Sequence, residues 1–294
     1  MKKVLLTSTA LVMVGGAAFA DGHAGVSVSG SAEFAVGDSG ATGSEITFAP
    51  NIAISFAGSG ETDGGLGFGF DYTTSDATGA HDHDGFFSTT SADGGGASGV
   101  DNWEVYLSGA FGKVVIGDPD NALQSVAGLG DIGFNGLGVD NRAEIARGGG
   151  SNSGLLYSNS FGPASIYLSS TMTPGATGAK TAAGVKFSAG DITVGIGMEE
   201  DAAGDNMAVD VSGSLGGIGF DVYYEDDDTF GSNYGTILSW SAGDTTINLG
   251  YADGESAAVG VGFSMGLGGG ASLGGGVADN GSATAWDLGV SMSF

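Results

Sequence analysis

Two imidazoles and two carboxylates stand in a row at His81-Asp82-His83-Asp84, and both group types coordinate divalent cations. They lie in an acidic, Gly/Ser-rich stretch with no third ordered ligand in view, so they read as the polar tip of a loop. Gly175-Ala176-Thr177-Gly178-Ala179-Lys180-Thr181 approaches a phosphate loop but has Ala179 where the second glycine is required. Asp226-Asp227-Asp228 lacks the spacing of an EF-hand. With no cysteine and only His23, His81 and His83 as imidazoles, a nucleophile–base constellation has few possible members. The expectation is a protein that is not an enzyme and requires no cofactor.

The chemistry left is that of fixed charge. There are 34 Asp and Glu residues against 7 Lys and Arg, a net charge of −27. Such a chain repels nucleic acid and anionic surfaces and attracts cations. The elements that must position those charges show first at the C-terminus. Trp286, Leu288, Val290, Met292 and Phe294 fall on one face of an extended strand, and Asp287, Gly289, Ser291 and Ser293 on the other. An apolar face meets lipid and a polar face meets water in a membrane barrel, where a terminal aromatic suits the interfacial girdle. The last strand must then pair with the first, because an open edge in hydrocarbon leaves amides unsatisfied.

The same alternation recurs along the chain. Val26 to Val36 mark a first strand and Ile46 to Phe56 a second, where Pro50 suggests an irregularity. Leu66 to Tyr72, Trp103 to Phe111 and Val114-Val115-Ile116 follow, with Gly112-Lys113 read as a tight turn. A strand near 155–161 has an uncertain face, and the rhythm is regular from there to Phe294. The count is sixteen, and short glycine turns alternate with longer acidic links. Residues 75–101 and 118–153 break the pattern as long loops, which are usually functional or disordered. The fold expected is all-β: a 16-stranded antiparallel transmembrane β-barrel with short periplasmic turns. Met1-Lys2-Lys3, an apolar run and Ala18-Phe19-Ala20 make residues 1–20 a signal peptide. Residues 21–294 are the barrel, and no later segment approaches the roughly 20 apolar residues of a spanning helix.

Phase also selects the lumen. Glu33, Asp71, Glu104, Glu199, Asp210, Asp221 and Asp287 lie opposite the apolar positions, with Lys186 as the one base by the same test. That balance favours cations over anions. The 118–153 loop carries Asp118, Asp120, Asp131, Asp140 and Glu144 together with Arg142 and Arg147 among glycines.

Three stretches resemble the general-diffusion porins of alphaproteobacteria, the Rhodobacter type of Gram-negative porin. They are Val105-Tyr106-Leu107-Ser108-Gly109-Ala110-Phe111-Gly112-Lys113-Val114 with Gly117-Asp118, Leu267 to Asn280, and Asp287 to Phe294. The resemblance implies a homotrimer in outer-membrane lipid whose third loop, here 118–153, folds inward and narrows the pore, with Asp118, Asp120, Asp131, Asp140 and Glu144 expected to line the constriction or bind ions and Arg142 and Arg147 as counter-charges. It also implies passive diffusion of small hydrophilic solutes and ions, and calcium as a candidate ligand among Asp118, Asp120, Asp131 and Asp140. The near absence of basic residues on the wall departs from the family pattern. A barrel with an adhesive or enzymatic role, and a soluble extracellular β protein, are the alternative readings.

Overall fold

The computed structural model describes residues 25–75, 102–144, 154–171, 180–200, 204–254 and 256–294. The signal peptide expected over 1–20, the His81–Asp84 stretch and Arg147 lie outside the described residues. Sixteen strands follow in order: β1 (Gly25–Asp38), β2 (Thr47–Glu61), β3 (Gly67–Ser75), β4 (Asn102–Gly109), β5 (Gly112–Gly117), β6 (Leu155–Phe161), β7 (Ala164–Ser170) and β8 (Thr181–Ala189). The second half comprises β9 (Ile192–Glu200), β10 (Asp205–Leu215), β11 (Ile218–Asp227), β12 (Gly231–Ala242), β13 (Thr245–Asp253), β14 (Ala258–Gly268), β15 (Ala271–Asp279) and β16 (Thr284–Ser293).

Each strand pairs antiparallel with its sequence neighbours, and β16 returns to β1 to close the barrel. The closing ladder runs from Ser31↔Ser293 to Asp38↔Trp286. Phe294 extends it: its amide donates to the Gly30 carbonyl at 2.8 Å, and the Gly30 amide donates back at 3.1 Å. Among the described residues no strand is therefore left at an edge, the condition for a sheet in hydrocarbon.

Alternation divides inside from outside. On β16, Trp286 and Leu288 are exposed outward, whereas Ala285 and Asp287 are buried inward. Phe34, Phe48, Ile54, Val105, Leu107, Ile196, Leu249 and Val261 continue the outer apolar band, and the Phe34 and Phe48 rings stack at 5.9 Å. At the loop end, Tyr234 and Tyr251 donate to Asp253 Oδ2 at 3.0 and 3.2 Å.

Pro50 does not disturb the sheet. The β1–β2 register passes through Phe34↔Pro50 without a shift, because the adjacent pairs on each side hold the alignment. The irregularity lies instead between β14 and β15, at Gly266/Gly268. Tyr157 of β6 pairs with Val114, which places it outside and Leu156 inside. Lys113 is not in a turn: β5 begins at Gly112, whose φ of +105° only glycine tolerates readily, and Lys113 pairs with Ser108.

The third loop turns into the barrel and builds a core there. Leu123, Val126, Ile132, Leu137 and Val139 of the loop are buried against inward-facing Ala182, Ala208, Tyr223, Ile237, Ala252 and Ala278 of the wall. Rows of glycine make room for it. A Cβ at Gly184 would stand 2.5 Å from the Ala122 carbonyl oxygen, one at Gly250 2.7 Å from Ile132 Cγ1, and one at Gly276 2.8 Å from Gly133 Cα. A Cβ at Gly195 would collide with the Val126 carbonyl oxygen. Gly195→Val is therefore expected to lift the loop from β9 while leaving the outer band intact. Single-channel recording checks this: conductance should rise, and an unchanged value would show that the loop does not narrow the passage.

Candidate functional site

The loop is fixed by side chains at several points around the wall. Near its start, the Ala122 amide donates to Ser169 Oγ of β7 at 2.8 Å, and Asn121 Nδ2 donates to Glu199 Oε2 of β9 at 2.8 Å. Lys180 holds the other Glu199 oxygen at 3.0 Å. Farther along, the Phe134 and Asn135 amides both donate to Asp287 Oδ2 of β16 at 2.8 Å. On the return limb, Arg142 Nε donates to the Asn280 carbonyl at 2.7 Å and Nη2 to Ser282 Oγ at 2.9 Å, tying the loop to the β15–β16 connection. Glu144 accepts from the Leu129 amide and staples the two limbs together.

Magnitudes separate seat from anchors. Each buried Leu, Ile or Val side chain stabilises the seat by about 1.5–3 kcal/mol. A hydrogen bond contributes roughly 0.5–1.5 kcal/mol net, somewhat more to a charged acceptor. The apolar face therefore carries the seating, and the polar contacts fix its register.

This arrangement sorts the expected pore residues. Glu199, Asp210 and Asp287 do point inward, but the loop lies over them, leaving Asp287 only 3% exposed. Asp221 sits beside Asp210, with Lys186 in electrostatic reach of both. On the loop, Asp140 and Glu144 are each 7% exposed and face its interior rather than water. Arg142 is an anchor rather than an aperture charge. Asp120 and Asp131 are exposed on the loop, and Asp118 is half-buried at its root. Among the described residues no group of three or more His, Cys, Asp or Glu is arranged to hold a metal ion; of Asp118, Asp120, Asp131 and Asp140, Asp131 and Asp140 meet.

A loop seated from β7 round to β16 leaves charged positions of the β1–β5 wall in contact with water, while Ala35, Ala49 and Val115 of the same wall are buried. There Asp71 is exposed and Glu33, Glu104 and Lys113 are half-buried. Asp71 and Glu104 stand directly opposite one another across the β3–β4 ladder, and Glu104 is in electrostatic reach of Asp118 and Asp120 as well. Lys113 was legible by strand parity, two positions before inward-facing Val115, but the adjacent Gly112 signalled a turn. Asn121, Ser169 and Lys180 carried no signal in the sequence, because their partners are distant along the chain.

Asp140 gives the loop a pH dependence. It occupies a short 3-10 turn (Asp140–Arg142). Burial raises its pKa well above the usual carboxylate range, reinforced by the negative charges of Asp131 and Glu144. The fold thus favours the neutral carboxyl. Its contribution to seating is complete below about pH 4 and is lost as pH rises through the elevated value. Hydrogen exchange of amides 118–144, corrected for intrinsic rates, should show protection falling with rising pH, and Asp140→Asn should flatten that dependence. An equal slope in both proteins would remove Asp140 as its source.

The comparisons agree with this architecture. The Gram-negative porin family matches residues 7–291. A Rhodobacter porin refined at 1.8 Å resolution superposes with a TM-score of 0.69 at 25% identity, covering 92% of this chain and 100% of its own. An engineered variant of Rh. blastica porin superposes with a TM-score of 0.70 at 17% identity over the same shares. No curated protein sequence matches. A closed sixteen-stranded barrel, an inward third loop and a family match over nearly the whole chain lead to one conclusion: the chain belongs to the Gram-negative porins and forms a diffusion pore in the outer membrane.

Proposed function

We propose that this pore passes small hydrophilic solutes and prefers cations, with the preference set where the loop and the β1–β5 wall face each other. The observation that carries the reading is the charge left in contact with water there. Glu33, Asp71 and Glu104 stand on the wall, with Asp118 and Asp120 of the loop in electrostatic reach of Glu104, and Lys113 is the base of that wall among the described residues. Carboxylates along a narrow path raise the local cation concentration and oppose anions. Exposed charges are screened over a Debye length of about 8–10 Å at moderate salt, so the preference should weaken as ionic strength rises.

The covered acids add less. Glu199 and Asp287 are hydrogen-bonded to the loop, and a carboxylate in such a contact is not free to meet a passing ion. In a planar bilayer under a KCl gradient, the reversal potential should have the sign of potassium preference. Asp71→Asn with Glu104→Gln should reduce the potassium/chloride permeability ratio about two- to fourfold, whereas Asp287→Asn should change it little. A chloride-selective wild type would overturn the reading. The assembly proposed is a homotrimer, which rests on family membership; chemical cross-linking in outer-membrane vesicles should trap a species of three chains, and a monomer alone would refute it.

A further inference from the structure

Lys113 is the base on the wall that the loop leaves open, and neighbouring residues fix where its charge stands. Along β4 the inward positions are Glu104, Tyr106 and Ser108; across the ladder on β5 they face Gly117, Val115 and Lys113. On the other side, Gly69 of β3 is paired with Tyr106. A Cβ at Gly69 would lie 2.5 Å from Tyr106 Cζ, so the missing side chain is the space in which the ring lies against the wall. The Lys113 ammonium rests over that ring, 4.4 Å from its centroid, a distance at which the ring quadrupole attracts a cation. Strand, glycine and ring together hold the charge on the wall, within electrostatic reach of Glu104. Among the described residues no carboxylate lies within ion-pair distance of it, so its field extends into the passage.

A conducting pore must attract its ion enough to admit it and hold it weakly enough to release it. Asp71 and Glu104, paired across β3 and β4, are the attracting side of that balance. We propose that Lys113, placed by Tyr106 and Gly69, is a specificity-determining residue of the pore: a fixed cation that limits cation preference and hastens release of cations from the Asp71–Glu104 pair. This deepens the cation-preferring reading and is separable from it, since the proposal concerns the change on removing Lys113 rather than the sign of the wild-type preference.

The test uses the full chain in planar bilayers under a KCl gradient. Lys113→Gln should raise the potassium/chloride permeability ratio about two- to threefold, and Lys113→Arg should retain the wild-type ratio. Tyr106→Leu should fall between them, because the ammonium survives but loses its position. Lys186→Gln is the control, since Lys186, half-buried like Lys113, has both Asp210 and Asp221 in electrostatic reach to offset its charge, and it should leave the ratio unchanged. The chain contains no cysteine, so Lys113→Cys can be modified within the open channel. An ammonium-bearing thiosulfonate should restore the wild-type ratio, and a sulfonate-bearing one should raise it above that of Lys113→Gln. An unchanged ratio in Lys113→Gln and in both modified forms, or an equal rise in Lys186→Gln, would overturn the proposal. An anion-preferring wild type whose ratio still shifts on Lys113→Gln would overturn only the cation-preferring reading.

Discussion

The meeting of Gly30 with Phe294 is the contact on which the molecule depends. In hydrocarbon an unpaired strand edge leaves its amides and carbonyls without partners, at several kcal/mol for each group. The chain satisfies them only if its final residues reach its first strand, and they do so through the β1–β16 ladder and the reciprocal Gly30–Phe294 bonds. Closure fixes which way every later side chain points. Once the sheet is a cylinder, each odd step faces one solvent and each even step the other.

Closure also creates an unusual problem inside. A barrel of this size encloses more space than wall side chains alone fill, and the third loop occupies it by bringing its own apolar face. Leu123, Val126, Ile132, Leu137 and Val139 form with wall alanines and Tyr223 a buried core inside the cylinder. The wall supplies the complementary surface by omission. Gly184, Gly195, Gly250, Gly260 and Gly276 carry no side chain where loop backbone and side chains approach. The high glycine content thus has two roles, in the turns and in the loop's seat. Packing holds the loop, while Glu199, Asp287 and the Asn280 carbonyl determine where along the wall it rests.

That seat changes the meaning of the charges. Acids with the same inward parity differ in consequence according to whether the loop covers them. Asp287 becomes an acceptor for loop amides, whereas Asp71 stays in water. Asp140 and Glu144 serve the loop's interior, and Asp120 and Asp131 its exposed face. Function follows from this division, since only charges in contact with water act on a passing ion at full strength.

Much of this was determined by the sequence alone, because a strand's side-chain period is a local property. The alternation from Trp286 to Phe294 named the outer face, and the same rule placed Glu33, Asp71, Glu104 and Asp287 inside. Family resemblance supplied the inward third loop. Pro50 and Lys113 were misjudged because proline and glycine mark irregularity and turns only on average, and the paired neighbours decide. What the tertiary structure alone decided was coverage. Whether Asp287 or Asp71 meets water, whether Arg142 faces the pore or the Asn280 carbonyl, and whether Lys113 stands over Tyr106 all depend on residues far away in the chain. Parity assigns a side chain to the lumen; only the folded loop determines whether water remains beside it.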